Sequence, residues 1–189
     1  MDVSSLGCAR TSENLMKAID VGRRYPDNVF GADWSSFFFF DSDWMFEDAF
    51  VTKAFALLDA EGSSCACLVN LDHDLEDSPR AFSIDRQTTL EDYGSVLRGT
   101  GPVDGLGYAI ERFACVSDRG LWSIYCERQN ELAVFGLLRG VPGEAYTSFL
   151  DSVHARRVTD VAAGSADFGF SEHEISRDWR ERLLRAYSV

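Results

Sequence analysis

Three histidines, five cysteines and 31 acidic side chains are the groups in this chain that could do chemistry. The histidines are His73, His154 and His173. None lies within a helical turn of another histidine or of a cysteine, and no His-Glu-x-x-His or Cys-x-x-Cys spacing occurs, so the pairings that hold zinc are missing. Cys65-Ala66-Cys67 followed by His73 offers soft metal ligands, but alternate positions inside an apolar run belong to a strand that sends its cysteines into the core. Asp72-His73-Asp74-Leu75-Glu76-Asp77 opens like a calcium loop. The glycine needed at the sixth position is Asp77, however, and the acid needed at the twelfth falls on Ser83. The glycines between Gly99 and Gly107 follow an expected helix and precede an expected strand, the reverse of a dinucleotide fingerprint, and no Lys-Ser/Thr accompanies them. Gly-x-Ser-x-Gly is absent. The sequence therefore assigns no catalytic residue, no metal and no cofactor. A small enzyme, a hydrolase, stays open as an alternative, with a site assembled in space from His154 or His173 and a nearby cysteine or carboxylate. So does a small-molecule-binding module whose aromatics line a cavity near Trp34 or Trp44.

The placement of the acids is more informative than their number. Residues 27–92 hold fifteen acids against Lys53, Arg80 and Arg86, while the rest of the chain holds sixteen acids against fifteen bases. Nearly all of the net charge of -13 thus sits in one third of the 189 residues. Asp41, Asp43, Glu47 and Asp48 fall where a second helix should begin, and negative charge there complements the helix dipole. Asp72, Asp74, Glu76 and Asp77 fall in a loop after the next strand. Like charges gathered in one region repel, and a basic partner would relieve that repulsion and be steered in by the field. Trp34 and Trp44 flank Phe37–Phe40 and Asp41, and an aromatic anchor ringed by acids would suit such a partner. The same charge balance argues against nucleic acid, which calls for a basic stripe.

The elements that must position these groups follow from periodicity and turn chemistry. Residues 12–24 suit a helix capped by Ser12 and stopped by Tyr25-Pro26-Asp27-Asn28. Phe37–Phe40 suits a buried strand. A helix from about Asp43 to Ala60, capped by Asp41 or Ser42, carries an apolar stripe from Trp44 to Leu58 and stops at Gly62. Cys65–Leu71 and Arg80–Ile84 read as strands, and Thr88–Glu91 as a capping box opening a helix to Arg98. Between Tyr108 and Leu138, alternation interrupted by Asp118-Arg119-Gly120 and Gln129-Asn130 predicts a three-stranded antiparallel meander. Helices from Glu144 to Arg156 and from a Ser171–Glu174 capping box to Tyr187 follow, separated by a loop over 160–170. The expectation is one α+β domain over 1–189, helices packed on a mostly antiparallel sheet.

No apolar run approaches the roughly 18 residues of a membrane span. The N-terminal residues lack the basic and apolar regions of a secretory signal. Five scattered cysteines do not make a disulfide framework, so a reduced cytoplasm is expected. Arginine outnumbers lysine 16 to 2, a bias that fits a GC-rich bacterial genome.

The stretch from Leu121-Trp122-Ser123-Ile124-Tyr125-Cys126-Glu127-Arg128 through Glu131-Leu132-Ala133-Val134-Phe135-Gly136 is similar to the central hairpin of several small α+β bacterial immunity families. These are cytoplasmic antidotes that block cognate toxins. The resemblance covers that hairpin alone and transfers no binding residue. It implies a non-catalytic protein that sequesters a toxin through its surface, and the acidic block fits a basic, nuclease-like target.

Overall fold

The computed structural model describes residues 3–72, 81–99, 105, 111–164 and 176–188, with the side chains of residues 3–9 and of residue 12 outside the description. Six strands form one sheet: β1 (Trp34–Asp41), β2 (Cys65–Asn70), β3 (Ala81–Asp85), β4 (Arg112–Ser117), β5 (Trp122–Glu127) and β6 (Leu132–Leu138). Their order across the sheet is β1-β6-β5-β4-β2-β3, and every neighbouring pair is antiparallel. The meander anticipated between Tyr108 and Leu138 is β4-β5-β6, turned at the two expected places. The α+β class stands.

The sheet is sandwiched. Alternation along each strand divides its side chains between two cores, as the pleat requires. Phe40, Phe113, Cys115, Ile124, Cys126 and Phe135 face one core, roofed by α2 (Phe50–Glu61), α3 (Leu90–Arg98) and α4 (Thr147–Ser152). Phe37, Phe39, Ala114, Val116, Tyr125 and Val134 face the other, roofed by α1 (Val3–Ala18), α5 (Val158–Ala163) and α6 (Arg177–Tyr187). With both faces covered, the central strands read as continuous apolar runs, which is why Cys65, Cys67, Cys115 and Cys126 are all buried. No described helix is long and apolar enough to cross a membrane.

Several boundaries depart from expectation for identifiable reasons. α1 begins at Val3 and ends at Ala18, because Ile19 leaves the helix to bridge Phe30 and Asp20 N–H donates to Val29 O at 2.8 Å. Ser12 therefore lies inside α1 and does not cap it. The single helix expected over 43–60 is broken into a 3-10 turn, Ser42–Phe46, and α2, with Glu47 extended between them at ψ 141. Met45 and Phe50 are both buried, and five helical residues would set them roughly 140° apart, so a continuous helix could not turn both to the sheet. The capping box is Thr89 with Asp92, one residue later than read.

α4 stops at Ser152, four residues short of the expected end, because His154 adopts φ 52 and Arg156 runs alongside β1 as a bridge to Phe39. The expected loop at 160–170 begins instead with α5, whose Val158 and Val161 share one buried face. α6 starts at Arg177 and is capped by Ser176, whose side chain accepts from Trp179 N–H; the capping box expected at Ser171–Glu174 lies outside the described residues.

Candidate functional site

The acids of the 41–48 segment are set at one end of β1. Asp41 ends the strand and faces Leu132 in the register with β6, which brings in Glu131 from the β5–β6 connection. Asp41 Oδ1 accepts from Asp43 N–H at 2.8 Å and so caps the 3-10 turn. Burial pushes the Asp41 carboxyl above the ordinary aspartate value against the pull of that N–H, and the charges of Asp43, Glu131 and Glu47 push it further. Four carboxylates thus share one patch, with Asp43 and Glu47 exposed. Glu131 was not singled out in the sequence, because only the pairing of β1 with β6 places it there. The helix-dipole argument fails for α2, whose first turn carries no acid.

The remaining nominated residues go elsewhere. Asp48 turns toward α3, where it meets Arg98 at 3.4 Å in an exposed ion pair. Asp72 is withdrawn from the surface. Its Oδ1 accepts from Arg112 Nε at 3.0 Å, and its Oδ2 accepts from the backbone N–H groups of Arg112 at 2.7 Å and Glu111 at 3.0 Å. Burial opposes its charge, but these donors from Arg112 and Glu111 outweigh it and hold the carboxyl below the usual aspartate value. Asp74, Glu76 and Asp77, like His73 and His173, lie outside the described residues.

The two tryptophans do not form one anchor. Trp34 is in the α1/α5/α6 core, turned there by a register shift between Trp34 and Ser36, and its ring lies 5.3 Å from Phe30. Trp44 packs on the opposite core and is half-buried. Lys53 Nζ lies 4.2 Å from the centroid of the Trp44 ring, and Arg128 caps Phe46 at 4.7 Å. Lys53 and Arg128 thus each pack a charge against an aromatic face. Among the described residues, none of the six ion pairs uses Asp41, Asp43 or Glu47.

The groups considered for covalent chemistry are separated. Cys115 and Cys126 are fully buried, and burial pushes both thiols well above the ordinary cysteine value, away from a reactive thiolate. His154 is exposed on the loop after α4, its ring 6.0 Å from Trp44. A cleft of about 880 Å³ between α5 and α6 and a cleft of about 430 Å³ beside Trp34 open on the described surface, and neither of these is lined by a histidine or a cysteine. Among the described residues no three of His, Cys, Asp or Glu converge as metal ligands. Comparison with protein families, curated proteins and solved structures finds no match for this chain.

Proposed function

We propose that this is a non-enzymatic cytoplasmic binding protein that sequesters a basic protein, in the manner of a bacterial immunity protein neutralising a nuclease-like toxin. The observation that carries the reading is the convergence of Asp41, Asp43, Glu47 and Glu131 at one end of β1, with the first three outside every ion pair of the described residues. Like charge gathered in one patch is a cost to the free protein that a cationic partner would relieve, and its field would speed encounter. Half-buried Trp44 and Phe46 beside the patch supply apolar surface for the centre of such an interface.

The test is co-expression with basic nuclease-domain toxins from the source bacterium, scoring growth, followed by binding measurements at low and high salt. The expected result is that one toxin is neutralised and bound, with affinity falling steeply as salt rises. The triple charge reversal Asp41→Lys, Asp43→Lys, Glu47→Lys should abolish protection while leaving the fold intact. Undiminished protection by that variant would remove this patch from the interface.

A further inference from the structure

We propose that the cleft beside Trp34 is a binding site for a small organic anion, a carboxylate joined to a flat apolar body. The cleft, about 430 Å³, is lined by Asn14, Lys17, Gly31, Ala32, Asp33, Trp34, Arg119, Gly120 and Leu138. Its size suits a metabolite rather than a protein segment. The exposed edge of Trp34, a ring otherwise packed in the α1/α5/α6 core, and Leu138 provide the apolar surface, Lys17 and Arg119 two positive charges, and Asp33 one negative charge. That local balance is opposite in sign to the chain's net charge of -13.

Both cations are available. Neither enters an ion pair among the described residues; Arg119 donates only to the Glu61 backbone carbonyl, and Lys17 makes no side-chain hydrogen bond there. The position of Lys17 in the last turn of α1 accounts for a basic residue there through the helix dipole. It does not account for a second cation and an indole from two other segments at the same cleft.

The walls are pinned to one another without closing the space. Asn14 Nδ2 donates to Ser117 O at 3.2 Å and Asp118 O at 3.0 Å, fastening α1 to the β4–β5 turn. Gly31 N–H donates to Ala18 O at 3.0 Å, and Arg139 holds the 32–33 backbone through its N–H to Asp33 O at 2.7 Å and its guanidinium to Ala32 O at 3.1 Å. Gly120, at φ +69, lets the turn approach α1, since a Cβ there would lie 2.8 Å from the Asn14 side chain. Four segments distant in sequence thus hold a preformed recess, which lowers the ordering cost of binding.

This site is independent of the acidic patch. Trp34 and Asp41 stand at opposite ends of β1, roughly 20 Å apart at about 3.3 Å per residue, so either site can fail without the other.

The experiment is titration of the full isotope-labelled chain with benzoate, followed by amide and indole NMR shifts. Benzyl alcohol and benzylammonium serve as neutral and cationic controls of the same ring, and acetate as an anion without it. Benzoate should shift Lys17, Ala32, Trp34 and Gly120 saturably, with each control at least about tenfold weaker. The Lys17→Gln, Arg119→Gln variant should lose about tenfold in benzoate affinity. Should that variant fail to fold, Lys17→Gln alone removes one charge with no hydrogen bond at stake, and a several-fold loss is expected. Equal binding of all the probes, shifts mapping elsewhere, no saturable shift, or unchanged affinity in the variants would overturn the site.

Discussion

Arg112 Nε and Asp72 Oδ1 lie 3.0 Å apart, with side chains only 12% and 19% exposed, and this pair ties the strand end of β2 to the start of β4. Arg112 also donates to Val21 O at 3.0 Å and Leu71 O at 3.3 Å, so one guanidinium joins three segments. Asp72→Asn should leave that guanidinium without its counter-charge. A cost of about 2 kcal/mol is expected, between the values for exposed and for buried pairs. The folded carboxyl titrates below the unfolded one, so the contribution is fully present above about pH 4 and is lost as pH falls through the folded value. Urea unfolding of the wild type and variant from pH 7 to pH 3 should show the full gap at the first and a narrower one at the second.

Asp41 predicts the opposite sign. Its carboxyl is raised by burial and by Asp43, Glu131 and Glu47, so the native state holds that proton more readily than the unfolded chain. Stability from this group is present below the unfolded value, near about pH 4, and is lost as pH rises through the folded one. Asp41→Asn keeps an oxygen to cap Asp43 N–H and removes the charge. At pH 7 it should raise the melting temperature while weakening partner binding, and added salt should shrink the gain. A variant less stable at pH 7 would show that the four carboxylates do not strain the fold.

Gly136 predicts a packing penalty. It lies on β6 under the ring of Phe30, and a Cβ there would sit 2.5 Å from Phe30 Cε1 and 2.7 Å from Cζ. That ring cannot easily retreat, since Trp34 is 5.3 Å away on one contact and Phe37 5.2 Å on another, centroid to centroid. Gly136→Ala should cost about 1–3 kcal/mol. Combining it with Phe30→Leu should cost less than the sum of the two single changes, because the smaller side chain vacates the contested space. Denaturation midpoints of the four proteins test this.

What the sequence displays and what it hides divide along the range of the interaction. The β4-β5-β6 meander was legible because alternation and turn residues are local signals, and the buried cysteines followed from the same alternation. The break between Phe46 and Phe50 was not, because it arises from two residues competing for one sheet. The acidic segment was visible as composition, yet Asp72 belongs to Arg112, forty residues away in the chain, and Glu131 joins Asp41 only through the β1–β6 pairing. Trp34 and Trp44 looked like neighbours until a bulge at Ser35 and Ser36 and a two-faced sheet set them on opposite sides. Arg119 and Lys17, which line the same cleft, are separated by a hundred residues that carry no sign of their meeting.

Glu127 supplies the last prediction. It is buried, at 5% exposure, and three donors converge on its carboxylate without any cation in an ion pair among the described residues. Oε1 accepts from Tyr25 N–H at 2.8 Å and from the Tyr125 hydroxyl at 2.6 Å, while Oε2 accepts from Asn130 Nδ2 at 2.6 Å. The carboxylate therefore fastens the 20–30 loop to β5 from inside the fold. Glu127→Gln keeps the shape but offers one acceptor oxygen where two are used, turning an amide donor toward a donor. A cost of about 1–3 kcal/mol is expected. The loss should concentrate in the loop, so the Tyr25 amide should exchange with solvent about tenfold faster or more while amides in the middle of β5 and β6 change less. Uniform acceleration across the sheet would instead mean that Glu127 supports the whole fold, and no acceleration at Tyr25 would remove its role as a fastener.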